Sequence, residues 1–187
     1  MDMKIIENKR IFAFDAKNEC VAEVEDGETL IFRTNDCFDN QLSEEGSTIG
    51  SLNWDCINPA TGPVYVKNAL PGDVLKVEIL EIKLGKQGVM CALPDNGVLG
   101  SLVKEESVKR LKVENGKVHF NEKIVFDTNT MIGVIGVAPE KGSINCGTPG
   151  NHGGNMDNKR ITEGATLYFP VFHKGAIFSL GDVHATM

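Results

Sequence analysis

The chain has 187 residues, 41% of them hydrophobic and 24% charged, and a formal net charge of -7. This balance supplies a packed core and excludes a disordered chain, while the acidic surface repels phosphate backbones and excludes a general nucleic-acid binder. Met1–Arg10 holds no apolar stretch of signal-peptide length, none of the five cysteines forms a Cys-x-x-Cys pair, and no apolar run approaches the ~20 residues that cross a bilayer as a helix; the expectation is a soluble protein of the reducing cytoplasm.

The apolar runs are short, rich in Val and Ile, and separated by turn residues, and the chain holds 20 glycines. This pattern predicts strands joined by tight turns. In chain order they fall at Arg10–Phe14, Cys20–Val24, Thr29–Thr34, Val64–Val66, Val74–Leu84, Lys123–Phe126, Ile132–Val137, Thr166–Val171 and Ala176–Ser179. In Val74–Leu84 the apolar positions change phase, from Leu75, Val77 and Ile79 to Leu80, Ile82 and Leu84, which predicts a bulge near Ile79. Arg110–Phe120 reads as a hairpin. Asn115-Gly116 tolerates the positive φ angles of a type I′ turn, and Leu111 and Val113 face Val118 and Phe120 across it. Helix is expected only as short pieces, at Leu102–Arg110 and as a turn within Asp39–Gly46. Asp26–Phe32 echoes Glu163–Phe169, and Leu70–Val74 echoes Ser179–Val183; duplicated β modules and the ordinary way a turn feeds a strand both account for this. The fold class is mainly β, built of sandwich or barrel-like modules with few short helices, as one unit over residues 1–187.

Three polar segments carry candidate chemistry. Thr34–Gln41 holds Asp36 and Asp39, readable as an Asx-type turn or as a pair of site carboxylates. Pro139–Asn158 interleaves Gly147, Gly150, Gly153 and Gly154 with Glu140, His152, Asn155 and Asp157. A loop of that length with few apolar residues is commonly functional or disordered, and its glycines let backbone approach a ligand. Ser179–Ala185 holds Asp182 and His184 at positions i and i+2, which share one face of a strand and can present two metal ligands together. A surface Asp beside a hydrogen-bonded His explains the same pair. His119 and His173 lie in turn-like contexts and are expected to face solvent.

Five stretches, Asn58–Pro63, Ala69–Leu75, Met131–Pro139, His152–Asp157 and Phe178–Ala185, resemble motifs of the acetamidase/formamidase family in the family's order, and the segment around Asp36 and Cys37 also fits. The resemblance implies hydrolysis of short linear amides such as formamide and acetamide to a carboxylate and ammonia, with a divalent metal ion at the site, zinc first and calcium second. A homo-oligomer, or a complex with a chain supplying a missing C-terminal part, is expected, because the absence of that part leaves apolar surface to be buried by association. Family members continue past the last motif with a Gly-Asp-Gly-Glu-like acidic turn, so a chain ending at Met187 is expected to be an incomplete unit.

On this resemblance Asp36, Asp182 and His184 are the expected metal ligands. Glu140 is the expected general base or acid. His152 with the N–H groups of Gly153 and Gly154 is expected to bind the carbonyl oxygen, and Asn155 and Asp157 to shape the loop or hold a second ion. Attack by the thiolate of Cys37 or Cys146 is the rival chemistry. A non-catalytic β-sandwich binding module, or an inactive remnant, is the alternative from outside the enzymes. All five candidates, Asp36, Glu140, His152, Asp182 and His184, are expected to converge on one cavity.

Overall fold

The computed structural model describes residues 3–187. The strands, in chain order, are β1 (Lys4–Ile6), β2 (Arg10–Ile11), β3 (Ala13–Asp15), β4 (Ala22–Val24), β5 (Leu30–Phe32), β6 (Ala60–Val66), β7 (Val74–Glu78), β8 (Gln87–Ala92), β9 (Ser107–Glu114), β10 (Lys117–His119), β11 (Val125–Asp127), β12 (Met131–Gly136), β13 (Ser143–Asn145), β14 (Gly153–Asn155), β15 (Thr166–Pro170) and β16 (Phe178–His184). Helix among the described residues is confined to single 3-10 turns at Ile49–Ser51, Trp54–Cys56 and Gly100–Leu102. The mainly β class holds.

The centre is a mixed sheet in the order β14-β12-β16-β6-β2, with β4 running parallel to β6. Strand β12, Met-Ile-Gly-Val-Ile-Gly, is buried along its whole length. Its branched residues fill the space on the sheet faces, and its glycines admit close neighbours. A Cβ at Gly136 would collide with the His152 carbonyl oxygen, and one at Gly181 in β16 with that of Pro59. The main core gathers Val64, Ile135, Val137, Phe169 and Phe178. A second cluster packs Ile11, Phe14, Ala60, Val134 and Cys146. The hairpin module, β11-β10-β9-β8, carries its own small core of Leu111, Val113 and Val118. Its turn has Asn115 at φ 51° and Gly116 at φ 71°, as a type I′ turn requires, and Val113 sits opposite Val118.

Several expectations change. Val74–Leu84 is a strand only to Glu78, because its partner β15 begins at Thr166, opposite Glu78. Ile79 then bonds to the turn through Ala165 and Gly164, and the phase change marks the chain leaving the ladder rather than a bulge. The short helix expected over Leu102–Arg110 is a 3-10 turn followed by the start of β9, where Val108 pairs with Cys91 and Arg110 with Val89; the ladder overrides local preference. Asp26–Phe32 and Glu163–Phe169 are both turns feeding strands, with Gly27 at φ 78° and Gly164 at φ 79°. Leu70–Val74 is also a turn, whereas Ser179–Val183 lies inside β16, so the second echo joins unlike structures.

Ile135 is fully buried in the main core. Ile135→Ala is expected to lower unfolding free energy by ~2–5 kcal/mol, read from urea denaturation. A loss below ~1 kcal/mol would contradict this packing.

Candidate metal centre

The site is built on the β12–β16 ladder. Ile132 pairs with Val183 and Val134 with Gly181, which leaves Gly133 across from Asp182. Asp182 is 3% exposed and holds φ 52° in the middle of its strand, a left-handed conformation that Asp tolerates better than most residues. Its carboxylate lies over Gly133, where a Cβ would come 2.8 Å from Asp182 Oδ2 and 2.7 Å from Asp157 Oδ1. Asp157 is brought there by the turn after β14, where Met156 and Asp157 donate their N–H groups to the Gly133 carbonyl at 2.9 and 3.4 Å. His184 closes the group. Its Nε2 is 3.3 Å from Asp182 Oδ1 and 3.5 Å from Asp157 Oδ1, yet this buried nitrogen makes no aligned hydrogen bond. One donor atom from each of the three residues lies within 4.8 Å of the others. An imidazole nitrogen and two carboxylates around a glycine cradle fit a divalent cation that accepts mixed nitrogen and oxygen donors and leaves a coordination position open.

The centre opens on a cleft of about 1500 Å³ whose wall also carries Asp36, Cys37, Phe178 and Leu180. Contact with Asp182 raises the His184 pKa above its ordinary value; burial opposes this, and the charges of Asp182 and Asp157 add to it. Burial pushes the Asp36 carboxyl up, the N–H groups of Asn40 and Phe38 pull it partly back, and the charges of Asp182 and Asp39 raise it further. Burial also raises the Cys37 thiol far above the ordinary range, with Asp182 and Asp36 adding to the effect. Burial pushes Cys146 up to about 12, against a backbone hydrogen bond at Ala60 that lowers it. Neither thiol is poised as a thiolate near neutral pH.

Of the residues singled out in the sequence, the structure brings Asp182 and His184 together with Asp157, which the loop sequence offered as a loop-shaping residue or a holder of a second ion and which instead joins this same group. Asp36 is on the same cleft wall. Its Oδ1 accepts from Phe38 and Asn40 at 3.0 and 2.7 Å, so it also closes its own Asx turn. The expected convergence of all five residues does not occur. Glu140 is exposed and lies beyond the Gly136 end of β12, whereas His184 pairs with Met131 at the other end. His173 donates from Nε2 to the adjacent Pro139 carbonyl at 2.9 Å, so it is engaged rather than solvent-facing. His152 is fully buried against Phe14, with ring centroids 5.2 Å apart, and burial lowers its pKa. Gly153 donates its N–H to the Gly150 carbonyl, and Gly154 and Asn155 pair with Ile135 and Val134. These three positions form a strand rather than a free cradle, because the long polar segment folds back on β12.

Residues 13–145 and 142–187 match the profile of the Acetamidase/Formamidase family. The chain belongs to the acetamidase/formamidase family. The solved acetamidase of Bacillus halodurans superposes with a TM-score of 0.95 at 44% identity, over 98% of this chain and 62% of that one. A predicted acetamidase/formamidase from Thermoanaerobacter tengcongensis gives 0.94 at 48% identity, over 99% and 62%. A putative formamidase of Schizosaccharomyces pombe is 24% identical over 86% of this chain and 54% of its own. The acetamidase/formamidase chain described here thus spans 62% of the length of the two solved relatives.

Because Asp182 raises the His184 pKa above its ordinary value, this pairing stabilises the fold most fully below the unfolded value and loses that contribution as pH rises through the folded value. A ¹H–¹⁵N titration of His184 is expected to show a midpoint above 6.5 that falls in Asp182→Ala. A midpoint unmoved by the substitution would contradict the contact.

Proposed function

We propose that this chain carries the cation-binding part of a site that hydrolyses short linear amides, formamide and acetamide, to carboxylate and ammonia. The observation behind this reading is the convergence of Asp157, Asp182 and His184 over Gly133 on the cleft wall, in a chain of the acetamidase/formamidase family. Zinc suits the imidazole-containing donor set better than calcium, which takes oxygen donors. A divalent cation held there supplies Lewis acidity, lowering the pKa of water toward neutrality and polarising a carbonyl.

The residues of the chain do the rest. Asp182 and Asp157 hold the cation, and His184 completes the set in its neutral form, so protons compete with the metal as pH falls. Asp36, with its raised carboxyl pKa, is the group on the cleft wall suited to take a proton from water and return it to the leaving nitrogen. It takes the place that Glu140 held on sequence grounds. Phe178 and Leu180 make part of the cleft apolar and limit water near the reacting carbonyl.

Ammonia release from formamide and acetamide, with and without Zn²⁺, tests this reading. Asp182→Ala and Asp36→Asn are each expected to reduce turnover by ~100-fold or more, with Cys37→Ala and Cys146→Ala near wild type. Turnover that survives chelation and is lost in a cysteine variant would transfer the chemistry to a thiol. A metal-loaded chain inactive on both amides would leave the non-catalytic reading standing.

A further inference from the structure

Gly133 lies in extended backbone of β12, outside the left-handed region, so its conformation alone does not call for glycine. What calls for it is space. A Cβ there would lie 2.7 Å from Asp157 Oδ1, 2.8 Å from Asp182 Oδ2 and 3.0 Å from the Asp182 carbonyl oxygen. The other tight glycines of the ladder, Gly136 and Gly181, have a backbone carbonyl as their nearest neighbour, the mark of strand packing. At Gly133 the two nearest atoms are instead carboxylate oxygens, delivered by two different elements. The Gly133 carbonyl also receives the N–H groups of Met156 and Asp157. The same residue therefore anchors the backbone that carries one carboxylate and leaves room for both.

We propose that Gly133 is a positioning residue of the cation centre, setting the approach of Asp157 and Asp182 through its missing side chain. The inference rests on the reading of that group as a cation site. A methyl at this position must push one or both carboxylates away from His184, because the strand beneath is buried on both faces and cannot yield.

The test is Co²⁺ binding to the purified chain, followed by calorimetry and by the visible absorption of the bound ion. Gly133→Ala is expected to weaken Co²⁺ by ~10-fold or more, the scale for residues that orient ligands, and to change the absorption band. Ile135→Val, a core change on the same strand, is expected to lower the thermal midpoint and leave the band intact. Gly133→Ala should also cost less affinity in an Asp157→Ala background than in the wild type, because the two act on one contact. Wild-type affinity and spectrum in Gly133→Ala, with binding lost in Asp182→Ala, would overturn the role of Gly133 and leave the centre standing. No Co²⁺ binding by the wild type would overturn both. Should Gly133→Ala fail to fold, the same substitution in an Asp157→Ala/Asp182→Ala background decides: restored folding supports a clash with the carboxylates, and continued failure overturns it.

Discussion

The placement of Gly133 across from Asp182, between flanking pairs of the β12–β16 ladder, is the constraint on which the site depends. It places a carboxylate, 3% exposed, in the middle of a buried strand. A second carboxylate, Asp157, then arrives over the same glycine. Two like charges repel there, and the buried Asp182 loses hydration. His184 answers part of that cost, which is why its pKa rises. A protonated imidazole offsets one of the two negative charges, whereas a divalent cation offsets both and uses the orphaned Nε2 as a donor.

Local chemistry made part of this legible from sequence. The Asn115-Gly116 hairpin was readable because turn type is set by the two residues that adopt positive φ. Strand β12 was readable from its branched run, and the Asp182-x-His184 pair from strand periodicity. Asp36 was readable as an Asx turn; it lines the cleft but stands outside the cluster of Asp157, Asp182 and His184 in which it was expected as a metal ligand.

What was not legible depends on tertiary pairing. Pro139–Asn158 read as one polar loop, but β13 pairs with β3 and β14 with β12. Gly-Gly-Asn has little intrinsic strand preference, so no local signal announces β14. That strand tucks His152 against Phe14 and carries Asp157 to Gly133, separating two residues that the sequence places five apart. Glu140 is stranded for the same reason, at the end of β12 remote from His184. The helix expected at Leu102–Arg110 failed because pairing with β8 outweighed side-chain preference.

The claim most exposed to disproof is that Asp157, Asp182 and His184 jointly hold one cation. Anomalous diffraction from crystals of this chain equilibrated with Zn²⁺ tests it most directly. A single strong peak is expected within bonding distance of His184 Nε2 and of oxygens from both aspartates, ~2.0–2.2 Å away. A peak elsewhere, with His184 bonded only to Asp182, would contradict it.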